Sequence, residues 1–157
     1  MSIQFKTYVN CSASAFAGYQ ALVGTTKLYV ALMDATYEAN IDQIADSNWG
    51  NVVAYDIDTI GSPTNYTVGG KALTGVTISQ VDGSPSAEYI MTIDADDISF
   101  KGLTATFKVL VLYYSNGAGA LSPLLGYAVL PTAITATNQT FTIRWSSFGI
   151  IEIIQYA

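Results

Sequence analysis

Two stretches of the sequence, Glu88-Tyr-Ile-Met-Thr-Ile-Asp94 and Gln139-Thr-Phe-Thr-Ile-Arg-Trp145, alternate between apolar and polar side chains. Successive side chains of a β-strand point to opposite faces, so each stretch is predicted to present one buried and one polar face. Similar runs recur between turn signals, and the predicted strands are Gly75–Val81, Glu88–Ala95, Thr104–Tyr114, Leu124–Leu130, Gln139–Trp145 and Gly149–Tyr156. This spacing predicts a mainly β protein, an antiparallel β-sandwich or barrel of about eight strands.

The first half of the chain is less regular. Lys27–Met33 is an almost continuous apolar run, which is typical of a buried central strand. Before it, the mixture of alanine and aromatic residues in Ser12–Val23, followed by Gly24, predicts one short N-terminal helix. After it, Asp34–Pro63 is predicted to be a long excursion with one short strand near Val52–Ile57. Pro131 is taken as a turn between two later strands.

The composition indicates one domain that associates with other proteins. The 157 residues are predicted to form a single β domain, with an N-terminal arm or helix region at 1–26 and a β core at 27–157. Only 11% of the residues are charged, against about 25% in an ordinary domain. Neutral Ser, Thr, Asn and Gln could solvate such a surface. The chain also has 11 Tyr and 2 Trp, and interfaces are rich in these residues and poor in charge, so a surface covered by other subunits is favoured.

Several partners are disfavoured by the same composition. The net charge is −6 and the pI is near 4.2, with six scattered basic residues, which argues against a nucleic-acid partner. No apolar run approaches the ~20 residues that cross a bilayer, and the N-terminus has no signal-peptide pattern. We therefore expect a soluble chain with no membrane partner, made in a cytoplasm, in which Cys11 is a packing residue.

Catalysis is disfavoured because the chain has no histidine, the commonest general base and metal ligand. Gly69-Gly70-Lys71 resembles part of a P-loop, but Asn65 and Ala72 occupy positions where that motif needs glycine and Ser or Thr. A Gly-Gly turn that enters a strand is the favoured interpretation. The Ser-x-x-Lys pattern of a lysine-activated serine does not occur either. We expect no catalytic residue and no cofactor.

The acidic group Asp94, Asp96 and Asp97 is a weak candidate for a metal site, because calcium prefers carboxylate oxygens. The segment Ile98-Ser-Phe-Lys-Gly that follows supplies no further ligand series. A solvated turn in which aspartate bonds its own backbone is therefore favoured. A glycosidase pair could use Asp94 and Asp96 or the distant Glu152, but Asp94 and Asp96 would stand side by side on one strand about 7 Å apart, which does not flank a sugar bond.

Interface candidates come from two parts of the chain. At the N-terminus, Ile3, Phe5, Tyr8 and Val9 alternate with polar residues, and in the predicted strands the candidates are Tyr113, Tyr127 and Tyr156. Another interpretation is a sugar-stacking platform, as in carbohydrate-binding modules, formed by Tyr113, Tyr114, Tyr127, Trp145 and Tyr156. Ordinary strand packing is favoured, since aromatic residues are enriched in strands whatever the function.

The motifs Tyr66-Thr-Val-Gly-Gly-Lys-Ala-Leu73, Ile93-Asp-Ala-Asp-Asp-Ile-Ser-Phe100, Pro123-Leu-Leu-Gly-Tyr127 and Thr140-Phe-Thr-Ile-Arg-Trp145 resemble, in order, a group of small tailed-bacteriophage virion proteins. Lys27–Met33 fits the early strand of that group, and the likeness runs from about Lys27 to Ile153. The chain departs from the group at Ala128-Val-Leu-Pro131, where an acidic residue and a glycine are usual, and at Ser146-Ser147, where an aspartate is usual.

The resemblance implies a non-enzymatic structural protein of the virion, made in the host bacterial cytoplasm. Its expected role is capsid decoration or cement, in which many copies bind the major capsid protein. A homo-oligomer is expected, with a trimer at local three-fold axes as the guess for its symmetry. The alternatives are a tail or head-fibre component and, from another class, a carbohydrate-binding module.

Overall fold

The structure, a computed structural model, describes residues 5–9, 27–83, 88–115, 117, 119–147 and 149–156. Within strands it describes residues 80–83, 88–91 and 152–156 by their backbone. The predicted helix at Ser12–Val23 and the interface candidate Ile3 lie outside the described residues.

The described residues form two antiparallel sheets, which confirms the predicted mainly β, antiparallel class. One sheet has five strands in the order β1-β7-β6-β2-β3 and the other has three in the order β4-β5-β8. The strands are β1 (Lys6–Thr7), β2 (Leu28–Met33), β3 (Lys71–Ala72), β4 (Thr77–Gly83), β5 (Glu88–Asp94), β6 (Ile98–Tyr114), β7 (Leu124–Ile143) and β8 (Ile151–Tyr156). β2 lies inside the larger sheet and pairs with β6 and β3.

Strand β2 is apolar throughout because both faces of the five-stranded sheet are covered. Val30 and Leu32 point into a core cluster, here called cluster 1, that includes Ile93 and Ile151 of the three-stranded sheet. Ala31 and its neighbours on the opposite face point into a second cluster, cluster 2, which includes residues of the excursion after β2. The chain therefore packs in three layers, with the larger sheet in the middle.

The short strand predicted near Val52–Ile57 is wrong, because this part of the excursion consists of helical turns. They are α1 (Trp49–Val52), α2 (Ile57–Ile60) and two 3-10 turns at Ala35–Asn40 and Val53–Tyr55. Local capping explains the difference. The side chain of Asp56 accepts a hydrogen bond from the backbone N–H of Asp58 and begins α2. In α1 the side chain of Asn51 reaches back and accepts from the backbone N–H of the N-cap residue Asn48.

The prediction of separate strands at Leu124–Leu130 and Gln139–Trp145 is also wrong, since both segments belong to the single strand β7, which ends at Ile143. Pro131 does not interrupt pairing because it lies in a bulge, where Leu130–Ala133 of β7 stand opposite the single residue Lys108. Proline is tolerated there because no ladder N–H is needed. A second bulge places Thr137 and Asn138 opposite Thr104, with Asn138 at a φ of 49°. The strand predicted at Thr104–Tyr114 is also longer than expected, because its counterpart β6 begins at Ile98.

Candidate functional site

Among the described side chains, the most strongly buried acidic group is that of Asp56, which is 0% exposed. Its Oδ2 accepts hydrogen bonds from the Tyr66 hydroxyl at 2.8 Å and from the Gly69 backbone N–H at 3.0 Å. Its Oδ1 accepts from the Asp58 backbone N–H at 2.9 Å. Burial raises the pKa of the Asp56 carboxyl, and these hydrogen bonds oppose that rise.

Two tyrosines connect Asp56 to the larger sheet. The backbone N–H of Leu32 lies beyond the end of β3, and it donates to the Tyr66 hydroxyl at 3.0 Å. The Tyr113 hydroxyl donates to the Gly69 carbonyl at 2.9 Å. Asp56 therefore fastens the excursion and the Gly69-Gly70 turn onto β2 and β6. That turn enters β3 with φ values of 87° and 74°, as the sequence predicts.

A second buried network holds the N-terminal segment. The hydroxyls of Tyr8 and Tyr37 are 2.7 Å apart, and Tyr37 donates to Oδ2 of Asp46 at 2.9 Å. The ring of Tyr8 packs on that of Tyr127 with centroids 5.1 Å apart. Gln43 donates a hydrogen bond to the Tyr127 hydroxyl. Burial raises the pKa of both Tyr8 and Tyr37.

These two networks are suited to holding the fold together. Within the described residues, every buried side-chain oxygen and nitrogen has a hydrogen-bond partner. A carboxylate or phenol that is buried and already bonded must leave those partners before it can meet a substrate. The raised pKa values of these groups follow from burial. Buried groups occur in structural networks as well as in active sites, so raised pKa values alone do not indicate catalysis.

The acidic group Asp94, Asp96 and Asp97 lies at the turn between β5 and β6. Asp94 accepts from the backbone N–H of Ala95 at 2.9 Å, the backbone bond that the turn interpretation predicts. Asp96 accepts from the Thr74 hydroxyl at 3.0 Å, and Asp97 lies 3.9 Å from the Arg144 guanidinium. In the described part of the chain, no three acidic or cysteine side chains are grouped as a metal site would require.

The aromatic residues proposed as a sugar platform do not share one surface. Tyr113 and Tyr127 are buried in cluster 2, where Tyr113 stacks on Trp49 with ring centroids 4.6 Å apart. Tyr114 and Trp145 pack against cluster 1, on the other side of the sheet. Nothing is described of the Tyr156 side chain, whose backbone pairs with Glu88. The described members therefore lie on opposite faces of the sheet, with Tyr113 and Tyr127 buried and Tyr114 and Trp145 partly buried.

Most of the predicted interface residues also pack inside the chain. Phe5 and Tyr8 are buried, and the Phe5 ring lies 5.9 Å from that of Trp145. Tyr113 and Tyr127 are buried as well, so these four side chains have little surface to offer to a partner. Val9 is 57% exposed, and its backbone bonds to that of Gln43.

Sequence reasoning missed two features of the surface. The first is Ile44, 77% exposed, beside a groove of about 520 Å³ whose lining is Lys6, Glu38, Ile41, Asp42, Gln43, Ile44, Tyr127 and Val129. The second is the outer edge of β7 from Thr132 to Ile143, here called the β7 edge. A count of charges along the chain would have found it, because no residue from Val109 to Ile143 is charged.

The two edges of the β6–β7 ribbon differ. The outer edge of β6 is covered by the chain itself: Thr64 exchanges backbone hydrogen bonds with Thr104, Asn65 donates to the Gly102 carbonyl, and Lys71 donates to the Ser99 carbonyl. β1 covers β7 only at Gly126 and Tyr127. Among the described residues, none bonds to the backbone of the β7 edge from its outer side.

Comparisons with protein-family models, with curated proteins and with solved structures each found no match. The resemblance to phage virion proteins stays a prediction from the sequence motifs. None of the helices in the described ranges is both long and apolar enough to cross a membrane.

Proposed function

We propose that this chain is a non-enzymatic structural protein of a bacteriophage virion, a decoration or cement protein that binds the capsid surface in many copies. The proposal combines the sequence motifs of the resemblance with the way in which the described polar groups are used. The observation that carries most weight is the neutral surface of β7. Its exposed residues are Pro131, Thr132, Ala133, Thr135, Thr137, Asn138, Gln139, Thr140 and Thr142, none of which is charged.

A neutral, Thr-rich strand surface supports association with protein. Interfaces are depleted of Lys, Glu and Asp because each of these charges must be desolvated when partners meet. Thr and Asn add hydrogen bonds without that penalty. Many such contacts over a lattice add up, since attachment at one site raises the effective concentration at the next. Weak individual contacts would therefore suffice for stable decoration.

The internal use of polar side chains also supports a structural role. Asp56 and Asp46 hold tyrosine hydroxyls in the interior, and Asp94 and Asp96 hold turn and threonine groups. This leaves the outer surface of the long strands as one large feature without an assigned role. Attachment to a capsid through such a surface requires a complementary shape and hydrogen bonds, and it does not require a reactive side chain.

The test is to measure copies of the chain per virion by quantitative mass spectrometry against the major capsid protein, and to locate it in a particle reconstruction. A ratio near that of the capsid subunits, with density on the head, is the expected result. A few copies per particle, with density at the tail or on fibres, would replace the proposal with the tail or head-fibre alternative. Absence from particles would refute it.

A glycan array tests the alternative from the other class. The purified chain is expected to bind no glycan above background. Glycan binding that is lost in Trp145→Ala, with no loss in Trp49→Ala, would favour a carbohydrate-binding module, because Trp145 is partly exposed and Trp49 is buried. The folding of both variants would be checked by circular dichroism.

A further inference from the structure

We propose that two copies of this chain associate through their β7 edges, in an antiparallel two-fold contact centred on the peptide between Thr137 and Asn138. The inference goes beyond the proposed function and does not depend on it, since it concerns the chain alone. It also differs from the trimer expected from the resemblance.

No described residue covers the β7 edge, whereas natural proteins usually cover such an edge or place charges on it. An unpaired strand presents a row of backbone N–H and C=O groups, and proteins block such rows with charged side chains, especially lysine, or by covering them. Here the β6 edge is covered by Thr64, Asn65 and Lys71, whereas the β7 edge has neither cover from a described residue nor charge. Pro131 stands only at one end of it.

Charge permits a second copy to pair at the β7 edge, although it opposes most other contacts between copies. Each chain carries a net charge of −6, so two copies repel each other over most approaches. Pairing the β7 edge with itself places no charged residue opposite another, because the first charge beyond it, Arg144, would face Pro131 of the second copy. The edge is thus a surface along which like-charged copies can approach.

The residue pattern of the β7 edge is self-complementary. In antiparallel pairing about the proposed centre, Ile134 stands opposite Phe141 of the second copy, and Thr135 opposite Thr140. The bulge at Thr137 and Asn138 adds one residue to the alternation of β7. Side chains that stand opposite each other in this register therefore lie on the same face of the sheet. Ile134 and Phe141 both lie partly exposed against cluster 1, whereas Thr135 and Thr140 both point to solvent.

These pairings suit a symmetric contact. Thr–Thr and aromatic–β-branched cross-strand pairs stabilise antiparallel strands. An isologous two-fold interface requires that one patch fit itself, which the pairs Ile134–Phe141 and Thr135–Thr140 satisfy. The contact would also cover the remaining exposed surface of Ile134 and Phe141 and extend cluster 1 across the two copies.

The experiment compares two double variants of the full chain by sedimentation velocity over a concentration series. Thr135→Lys/Thr140→Lys places lysine opposite lysine twice in the proposed register, whereas Thr135→Lys/Thr140→Glu places lysine opposite glutamate twice. Both lose the hydrogen bond between the hydroxyls of Thr135 and Thr106, so the comparison is matched. Thr59→Lys/Thr67→Lys, at exposed sites outside β7, controls for added positive charge.

The wild type, the Lys/Glu variant and the Thr59/Thr67 control are expected to be dimers. The dissociation constant of the Lys/Lys variant is expected to rise at least about tenfold, because like charges face each other. A wild type that is monomeric at all concentrations, or a trimer, would overturn the inference. A Lys/Lys variant that dimerises as tightly as wild type would overturn it as well, and a Lys/Glu variant that is monomeric would refute the register. Particle binding is measured separately, so this result and that of the proposed function can fail independently.

Discussion

The hydroxyl of Tyr66 donates to Oδ2 of Asp56 at 2.8 Å and accepts from the backbone N–H of Leu32 at 3.0 Å. One phenol therefore joins a buried carboxylate to the strand that lies in the middle layer. The same carboxylate satisfies the backbone of Gly69 and Asp58. Removing either side chain would leave buried polar groups without partners, which costs more than the hydrogen bond itself contributes.

The first prediction concerns the loss of this carboxylate. Asp56→Ala would remove the acceptor for three donors and is expected to lower the free energy of unfolding by at least about 3 kcal/mol. Asp56→Asn keeps the size and one acceptor oxygen, so a smaller loss of about 1–3 kcal/mol is expected. Urea denaturation followed by circular dichroism measures both. Equal, small losses in the two variants would show that the network contributes little.

The second prediction is the pH dependence of that contribution. Burial raises the pKa of Asp56 in the folded chain above its unfolded value of about 3.9. The stability due to neutral Asp56 is therefore fully present below the unfolded pKa and is lost as pH rises through the folded pKa. The difference in unfolding free energy between wild type and Asp56→Asn should be largest in acid and should fall to a plateau. A difference that grows with pH would mean that the hydrogen bonds lower the pKa more than burial raises it.

The sequence predicted the parts of the fold that depend on periodicity. The continuous apolar run of β2 marks a strand covered on both faces, and alternation marks the sheet class. It failed where local bonds decide the conformation. Asp56 and Asn51 cap helical turns in a segment expected to contain a strand, and Pro131 sits in a bulge whose existence depends on the register with β6.

The candidate site was predicted less well for a related reason. The abundance of tyrosine in the composition led to the prediction of tyrosines at an interface. Which tyrosines face outward, however, depends on the elements that cover each face of a sheet. The excursion after β2 covers Tyr113 and Tyr127, and long-range packing of this kind leaves no local signature. The neutral stretch that contains β7 is visible in the sequence. That its later part lies beyond β1, with no described residue on its outer side, follows only from the register of the strands.

The third prediction concerns alkaline pH. Burial raises the pKa of Tyr8, Tyr37, Tyr66 and Tyr113 above the ordinary value near 10. Stability linked to these phenols is fully present below the unfolded pKa and is lost as pH rises above it. Spectrophotometric titration of tyrosine should show a late phase, from these four phenols, that coincides with unfolding by circular dichroism.

Tyr37→Phe provides the control for this titration. It removes a buried phenol and should reduce the amplitude of the late phase. A single phase that ends before any unfolding would contradict the burial of the four phenols.

The last prediction uses two glycines with the same backbone conformation and different surroundings. Gly70 and Gly117 have φ values of 74° and 83°, so alanine at either site would be strained by about 1–2 kcal/mol. A Cβ on Gly70 would lie 1.9 Å from the Val30 carbonyl oxygen, while one on Gly117 would meet no atom within 4 Å. Gly70→Ala must push the turn away from β2 and disturb the Asp56 network beside it. It should lower the free energy of unfolding by about 3 kcal/mol or more, against about 1–2 kcal/mol for Gly117→Ala. Urea denaturation of both variants measures the difference, and equal losses would mean that the turn does not press on β2 as closely as these distances require.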